Sequence, residues 1–301
     1  MDIWILATLA AAFFQTLRFM LQKVLSISQL SAVGATAARF FYSMPVIWVL
    51  VAGYLLASDA TIPEIEPQFW GAAAFGGLTQ ILATICVVTL FKSRNFAVGM
   101  TFKKTEVLQT VFVSAVLLGE LVSFYGFVAI LVGGLGVLLV SDQKSLNGTW
   151  RSRIFHRASG LGILSGFLFA LSGVSYRAAS LGVVAEDPFS RAAVTLLCVI
   201  TWQSVVMFLW LRWRDPSQLG ALWAARKSAG LVGLTSLAGS YMWFVAFTSQ
   251  NAAYVNAVGQ IELIFSIMAS RLVFREKITA REMWGIITIT ASVLALILLA
   301  G

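Results

Sequence analysis

Apolar runs of 18 to 25 residues recur from one end of the chain to the other, separated by short polar stretches. Each run is long enough to cross a hydrocarbon core of about 30 Å at 1.5 Å per helical residue. The pattern predicts helices at roughly Ile3 to Leu21, Ala32 to Leu56, Phe69 to Phe91, Phe96 to Leu118, Phe124 to Val140, Gly160 to Ser180, Phe189 to Leu211, Ala229 to Phe247, Ala252 to Phe274 and Met283 to Ala300. The runs are continuous in Leu, Val, Ala and Phe, without the alternation of a membrane β-barrel. Helices that satisfy their own backbone groups are therefore the expected spanning elements. Pro45 lies inside the second run, where a missing N–H predicts a kink.

Composition agrees with this pattern. The 301 residues are 59% hydrophobic and 11% charged, with a mean hydropathy of +0.88, whereas soluble domains carry about a quarter charged residues. No soluble domain is expected. The first run is read as a retained helix and not a signal peptide, because Asp2 stands where a basic region belongs and Arg18 to Lys23 where a small-residue cleavage site belongs. Cys86 and Cys198 lie singly in apolar segments and His156 is the only histidine, so neither a disulfide framework nor a Cys/His metal site is expected. No cofactor is implied, and no Walker-type phosphate loop or nucleophile with an acid–base pair can be assembled, so an enzyme is not expected.

The net charge of +8 changes the picture through its distribution. The odd-numbered connections hold Lys23; Lys92 and Arg94; Lys144, Arg151, Arg153 and Arg157; Arg212, Arg214, Arg226 and Lys227; and Arg275, Lys277 and Arg281. The even-numbered ones hold no Lys or Arg and carry Asp59, Glu64, Glu66, Glu120, Glu186 and Asp187. Under the positive-inside rule the odd connections are cytoplasmic, and ten spans then put both termini on the outer face. The basic residues read as topological signals and contacts to anionic lipid, so nucleic acid is not an expected partner. A compact chain with short loops suits a bacterial inner membrane.

The chain also repeats itself. A shift of 156 residues lays Gly77-Leu78-Thr79 on Gly233-Leu234-Thr235, Phe91, Ser93, Asn95 and Ala97 on Phe247, Ser249, Asn251 and Ala253, Glu106 on Glu262, and Glu120 on Glu276. Paired Asn and Glu residues are rare in apolar segments and carry the argument. Five helices per half is an odd number, so the second half, 146–301, must enter the membrane inverted relative to the first, 1–145. The expected fold class is an all-α membrane protein of ten transmembrane helices in two inverted five-helix repeats.

These features, with Leu118-Gly119-Glu120 just before the last span of the first half, resemble the drug/metabolite transporter superfamily, EamA type, over essentially the whole chain. The second copy, Phe274-Arg275-Glu276, keeps the Glu and loses the Gly, and Arg39 stands where the family has an arginine in its second helix. The resemblance implies secondary transport through a central cavity between the halves, lined in part by the fourth and ninth helices. The cargo differs widely among proteins of this fold.

Charge inside the membrane narrows the search, since a charged side chain at bilayer centre costs about 2.5–3.5 kcal/mol or more. Arg18, Arg177, Arg191 and Arg271 fall near expected helix ends, where long side chains snorkel to headgroups. The deep set is Arg39, Lys103, Lys104, Glu106 and Glu262. Both lysines lie roughly 12–14 Å below the cytoplasmic entrance by helical rise. One reading has them, with Arg39, attracting the anionic group of a solute; the other has an internal ion-pair network. Three cations against two anions preclude full mutual neutralisation, which favours the first. The positions equivalent to Lys103 and Lys104 are Gly259 and Gln260, so the cationic feature belongs to one half. Gln260, Gln80, Gln109, Tyr241, Trp243 and Asn256 complete a candidate polar and aromatic lining.

Glu120 and Glu276 read as groups that cap or orient the neighbouring helix and do not bind cargo, and Gly133, Gly134 and Gly136 as a close-packing surface for a helix of this chain or of a homodimer partner. The expected function is alternating-access transport of a small anionic or zwitterionic metabolite, of the amino-acid or organic-acid class. The rival is export of hydrophobic or cationic compounds through Glu106 and Glu262. More distant readings are a lipid-headgroup flippase or a membrane enzyme.

Overall fold

A computed structural model describes residues 2–58, 62–91, 103–140, 157–265, 267–268 and 280–300. The readings that fell on Asp59, Lys92, Ser93, Arg94, Asn95, Ala97, Lys144, Arg151, Arg153, His156, Arg271, the 274–276 copy of the Leu-Gly-Glu signature and Lys277 lie outside these residues.

Among the described residues six helices are long and apolar enough to cross a membrane: Ile3–Ser28, Ala32–Ala57, Gln68–Phe91, Arg157–Leu181, Pro188–Arg214 and Arg226–Ser249. Four shorter apolar helices, Glu106–Leu118, Phe124–Leu139, Ala252–Phe265 and Met283–Leu298, accompany them. The burial pattern is that of a multi-pass integral membrane protein. Leu56, Phe112, Leu121 and Leu298 point outward at 71–85% exposure, while Arg18, Gln22, Arg39, Ser165 and Gln203 are buried.

Helix α1 (Ile3–Ser28) runs seven residues past its expected end at Leu21. Arg18, Gln22 and Lys23 look like an exit to water in the sequence. Gln15, Arg18 and Gln22 instead share one face of the helix, and Arg18 donates to Gln22 Oε1 (2.9 Å) while Gln22 donates to the carbonyl of Ala35 (3.0 Å). The snorkelling expected of Arg18 is thereby corrected: it lies mid-helix and is 2% exposed.

The second span breaks into α2 (Ala32–Phe41) and α3 (Met44–Ser58). Ser31 caps α2 by accepting from the Gly34 amide. Pro45 has no N–H for the Phe41 carbonyl, and the chain turns at Tyr42 and Ser43. The Ser43 hydroxyl fits between the carbonyls of Arg39 (2.6 Å) and Gly233 (2.7 Å), so the kink expected from Pro45 docks on α10. Gly233 has to be glycine there, because a Cβ would collide with Tyr42.

The remaining elements are α4 (Gln68–Phe91), α5 (Glu106–Leu118), α6 (Phe124–Val140), α7 (Arg157–Leu181), α8 (Pro188–Arg214), α9 (Ser217–Ala224), α10 (Arg226–Ser249), α11 (Ala252–Val258) and α12 (Ala280–Ala300). Two short strands, β1 (Glu64–Ile65) and β2 (Val183–Val184), pair antiparallel and tie the α3–α4 connection to the α7–α8 connection. Helix α8 starts with Asp187 accepting from the Ser190 amide and Pro188 in the first turn, and ends with Arg212 and Arg214 against its negative pole.

Three long packings hold the bundle: α1 along α10, α4 along α7, and α6 along α12. Small residues permit them. A Cβ at Gly136 would stand 2.9 Å from the Ile289 amide and 3.0 Å from the Gly285 carbonyl, and one at Gly133 would stand 2.6 Å from Ser292 Oγ. These two glycines therefore serve α12 of the same chain, whereas a Cβ at Gly134 would meet nothing within 4 Å.

Candidate functional site

The fourth span was expected to be an unbroken helix. Lys104 and Thr105 instead form a turn, and α5 begins at Glu106. In the second half α11 stops at Val258, the chain tightens into a 3-10 turn over Gly259–Ile261, and helix resumes at Glu262. The expected 156-residue shift would lay 103–105 on 259–261, so the turn before α5 and the 3-10 turn after α11 fall in register with it. Each of the two turns is closely packed. A Cβ at Gly259 would sit 2.5 Å from the Trp243 ring, and one at Gly166 of α7 would sit 2.8 Å from the Lys103 carbonyl. Interrupted helices free backbone groups and place side chains at awkward depths, which is how transporters build midplane sites.

The charged residues meet at these interruptions. Lys103 Nζ lies 2.9 Å from Glu106 Oε2, and 4.9 Å and 5.9 Å from the ring centroids of Phe169 and Phe19. Lys104 donates to Glu262 Oε2 at 3.2 Å. Gln15 of α1 also donates to Glu262 Oε2 (3.0 Å), and its own Oε1 accepts from Trp243 Nε1 (3.1 Å) and from Arg18 (3.3 Å). One glutamine thus joins α1, α10 and the carboxylate. Both lysines are partnered by the two deep glutamates, which is the ion-pair arrangement weighed against free lysines.

The surplus positive charge falls on the arginines. Arg39 is 5% exposed, and its guanidinium donates to Thr84 Oγ1 (3.3 Å) and Ser240 Oγ (3.0 Å). Arg18 makes its side-chain hydrogen bonds to Gln22 and Gln15. Neither arginine has a carboxylate within 4 Å among the described residues, and Arg18 lies in Coulombic range of both Arg39 and Glu262. Among the described residues, four buried cations therefore share an interior with the two carboxylates Glu106 and Glu262.

A cavity of about 40 Å³ adjoins this cluster, lined by Gln15, Gln80, Lys103, Glu106, Phe169, Ser172, Gly173, Tyr176, Ser240, Trp243, Phe244, Phe247 and Asn256. Its walls come from both halves of the chain. At roughly 10–15 Å³ per water it holds about three waters. Gln80 belongs to a hydrogen-bonded group in the wall: Tyr176 and Gln203 both donate to its Oε1 at 3.0 Å. Asn256 donates to Thr110 Oγ1 (2.8 Å).

Three expected lining residues lie elsewhere. Gln109 is turned toward α7, where its Nε2 donates to the Ile163 carbonyl (3.5 Å). Tyr241, two positions from Trp243, is rotated about 200° around α10, and its hydroxyl donates to the Phe189 carbonyl (3.3 Å). Gln260 faces a separate groove beside α6 and α12, together with Lys104. Sequence reasoning missed Gln15, Arg18, Ser172, Tyr176, Gln203 and Ser240. The spacing of Gln15, Arg18 and Gln22 along one face of α1 was the available signal.

Glu120 was expected to cap or orient a neighbouring helix, and it is paired with Arg177 of α7. Gly119, at φ +67°, ends α5 in the left-handed conformation that glycine adopts freely, and directs Glu120 onto Arg177. Arg177 Nε donates to both Glu120 oxygens at 2.8 Å, Nη2 lies 2.7 Å from Oε1, and Nη1 donates to the carbonyls of Phe247 (2.7 Å) and Gln250 (2.8 Å). Arg191 is likewise engaged, donating to the Ala185 carbonyl at 2.7 Å.

Residues 157–298 match the model of the EamA-like transporter family. Through its second half, the chain is similar to EamA-like transporters of the drug/metabolite type, and the 3-10 turn at 259–261 with Glu262 lies inside the matched region. A crystal structure of 15% identity superposes with a TM-score of 0.71, covering 98% of this chain and 97% of its own, and that likeness carries the fold across the first half as well. No curated protein matches the sequence.

Proposed function

We propose that this EamA-like chain is a secondary transporter of a small anionic or zwitterionic metabolite, of the amino-acid or organic-acid class, working by alternating access. The observation that carries the reading is the imbalance of four buried cations, Arg18, Arg39, Lys103 and Lys104, against two carboxylates among the described residues. Burying an ion without a counter-ion costs several kcal/mol, and an anionic cargo would repay it.

The two halves act as inverted five-helix units about the cavity. The reciprocal packing of α1 on α10 and α4 on α7, and of α6 on α12, is what exchanging the halves would produce and supports this reading. A metabolite is larger than the few waters the cavity holds, so loading requires the halves to part. On loading, the cargo carboxylate displaces Glu106 from Lys103, while a cationic group on a zwitterion takes up the released Glu106. Charge bias in the connections supports both termini on the outer side of a bacterial inner membrane.

The test is solute counterflow into proteoliposomes with labelled amino acids and small dicarboxylates. Saturable uptake lost on Arg39→Gln and Lys103→Gln is expected. Absence of uptake of every such solute would refute the proposal. The rival, export of cationic or hydrophobic compounds through Glu106 and Glu262, is favoured by the aromatic wall of Phe169, Trp243, Phe244 and Phe247. It predicts uptake of tetraphenylphosphonium that depends on Glu106 and is indifferent to Arg39.

A further inference from the structure

A second hollow, of about 180 Å³, opens beside α5, α6, α11 and α12. Leu108, Leu131, Leu135 and Leu138 stand in its walls at 40–59% exposure, so it opens sideways on the face that the bilayer covers. Gly134 leaves the space clear, since a Cβ there would touch nothing within 4 Å. An apolar cavity of about 150 Å³ takes a guest the size of benzene, so this hollow suits one slender chain.

The floor of the hollow is polar and electrically balanced. Lys104 and Gln260 line it, and both are more than nine-tenths buried. Lys104 is paired with Glu262 at 3.2 Å, and the arginines that carry the surplus charge, Arg18 and Arg39, do not line this hollow. An ionic head of either sign therefore finds no counter-charge here without breaking an existing pair. Gln260 Oε1 has no hydrogen-bond partner among the described residues, and what a carbonyl oxygen lacks is a donor.

The complement of an unpaired amide oxygen is a neutral group that donates. A hydroxyl does so, and its own oxygen accepts from a further N–H of Lys104, which among the described residues hydrogen-bonds to Glu262 alone. A half-turn of the amide exchanges its oxygen and nitrogen, and a hydroxyl serves either end. Helix α5 runs 13 residues, roughly 20 Å, from beside Lys104 to the α5–α6 connection, which puts the floor at hydrocarbon depth. Carrying a hydroxyl to that depth costs far less than carrying a charge.

We propose that this hollow is a lateral site for an uncharged single-chain amphiphile with a hydroxyl head, of the long-chain alcohol or monoacylglycerol type. The hydroxyl donates to Gln260 Oε1 and accepts from Lys104, and the tail leaves past Leu108 and Leu135 into the bilayer. Lys104 belongs to the turn before α5 and Gln260 to the 3-10 turn after α11, so the head bridges the two turns and leaves the Lys104–Glu262 pair intact. Occupancy braces the turns together. The site stands apart from the central cavity and does not depend on the cargo assigned above.

The test uses full-length protein in nanodiscs and a dodecanol that carries a diazirine in mid-chain, crosslinked by light and located by mass spectrometry. Adducts on the walls of the hollow are expected. At equal concentration in the nanodisc lipid, unlabelled dodecanol should suppress them about tenfold or more effectively than laurate, dodecyltrimethylammonium or dodecane. Gln260→Leu, which removes the acceptor, should weaken dodecanol about fivefold. Gly134→Leu, which fills the hollow, should reduce labelling about tenfold while leaving the unliganded melting temperature at or above that of the parent. Equal suppression by the four probes, stronger suppression by laurate, or labelling unchanged by Gly134→Leu would overturn the proposal.

Discussion

Lys104 and Glu262 are 158 positions apart in sequence and 3.2 Å apart in space, and their contact links the turn before α5 to the 3-10 turn after α11. Both side chains are buried, so removing Lys104 takes from Glu262 its direct ion-pair partner, the nearest charge opposing its burial. Lys104→Met is expected to cost about 3–5 kcal/mol of stability. The double variant Lys104→Met with Glu262→Gln should recover most of that loss, because it carries no stranded charge and keeps a partner for Gln15. Denaturation midpoints of the single and double variants in detergent give the coupling; additive effects would show the pair to be energetically idle.

Arg39 should behave in the opposite sense. Its guanidinium is buried against two hydroxyls with no carboxylate in reach among the described residues, an arrangement that costs stability and persists where a ligand uses it. Arg39→Gln is therefore expected to leave the melting temperature unchanged or raised, while uptake of the anionic cargo drops at least about tenfold. A variant that unfolds, or one that transports normally, would assign Arg39 to the scaffold.

The apolar helices among the described residues were legible because each is a long apolar run bounded by charge. What escaped depended on partners distant in sequence. Arg18 looked like the exit of a helix because nothing local shows that Gln22 and the Ala35 carbonyl satisfy α1 for seven further residues. Tyr241 and Trp243 looked alike, yet only one faces the cavity, since two steps around α10 reverse direction. The turns at Lys104 and Gly259 pack against Gly166 and Trp243 on other helices, a contact that no local propensity announces and that would account for the breaks.

That origin of the break can be tested through glycine. A Cβ at Gly166 would press on the Lys103 carbonyl (2.8 Å), Gln109 Oε1 (2.9 Å) and the Glu106 amide (3.2 Å). A Cβ at Gly71, within α4, would meet nothing. Gly71→Ala should raise stability by up to about 1 kcal/mol through helix propensity. Gly166→Ala should forfeit that gain and lose about 1–3 kcal/mol, as overpacking against backbone does. Thermal unfolding of the two variants side by side checks it, and equal behaviour would mean that α7 does not shape the turn.

Arg177 and Glu120 form a second ion-paired junction, outside the lining of the cavity. The guanidinium takes both carboxylate oxygens and two carbonyls at the end of α10, so it fastens the α5–α6 connection, α7 and α10 together. A bidentate fork of this kind is poorly replaced by lysine, whose ammonium is a point charge. If the halves must part at this junction during transport, weakening the fastening should open it. With Cys86 and Cys198 replaced by Ser, a cysteine introduced at Thr248, which is 7% exposed, reports the opening through its reaction with a membrane-impermeant maleimide. Arg177→Met is expected to raise the labelling rate about tenfold, equivalent to a shift of about 1.4 kcal/mol in the opening equilibrium. Arg177→Lys should fall between the two. A rate unchanged in Arg177→Met would make the pair a static brace whose rupture is no part of the transport cycle.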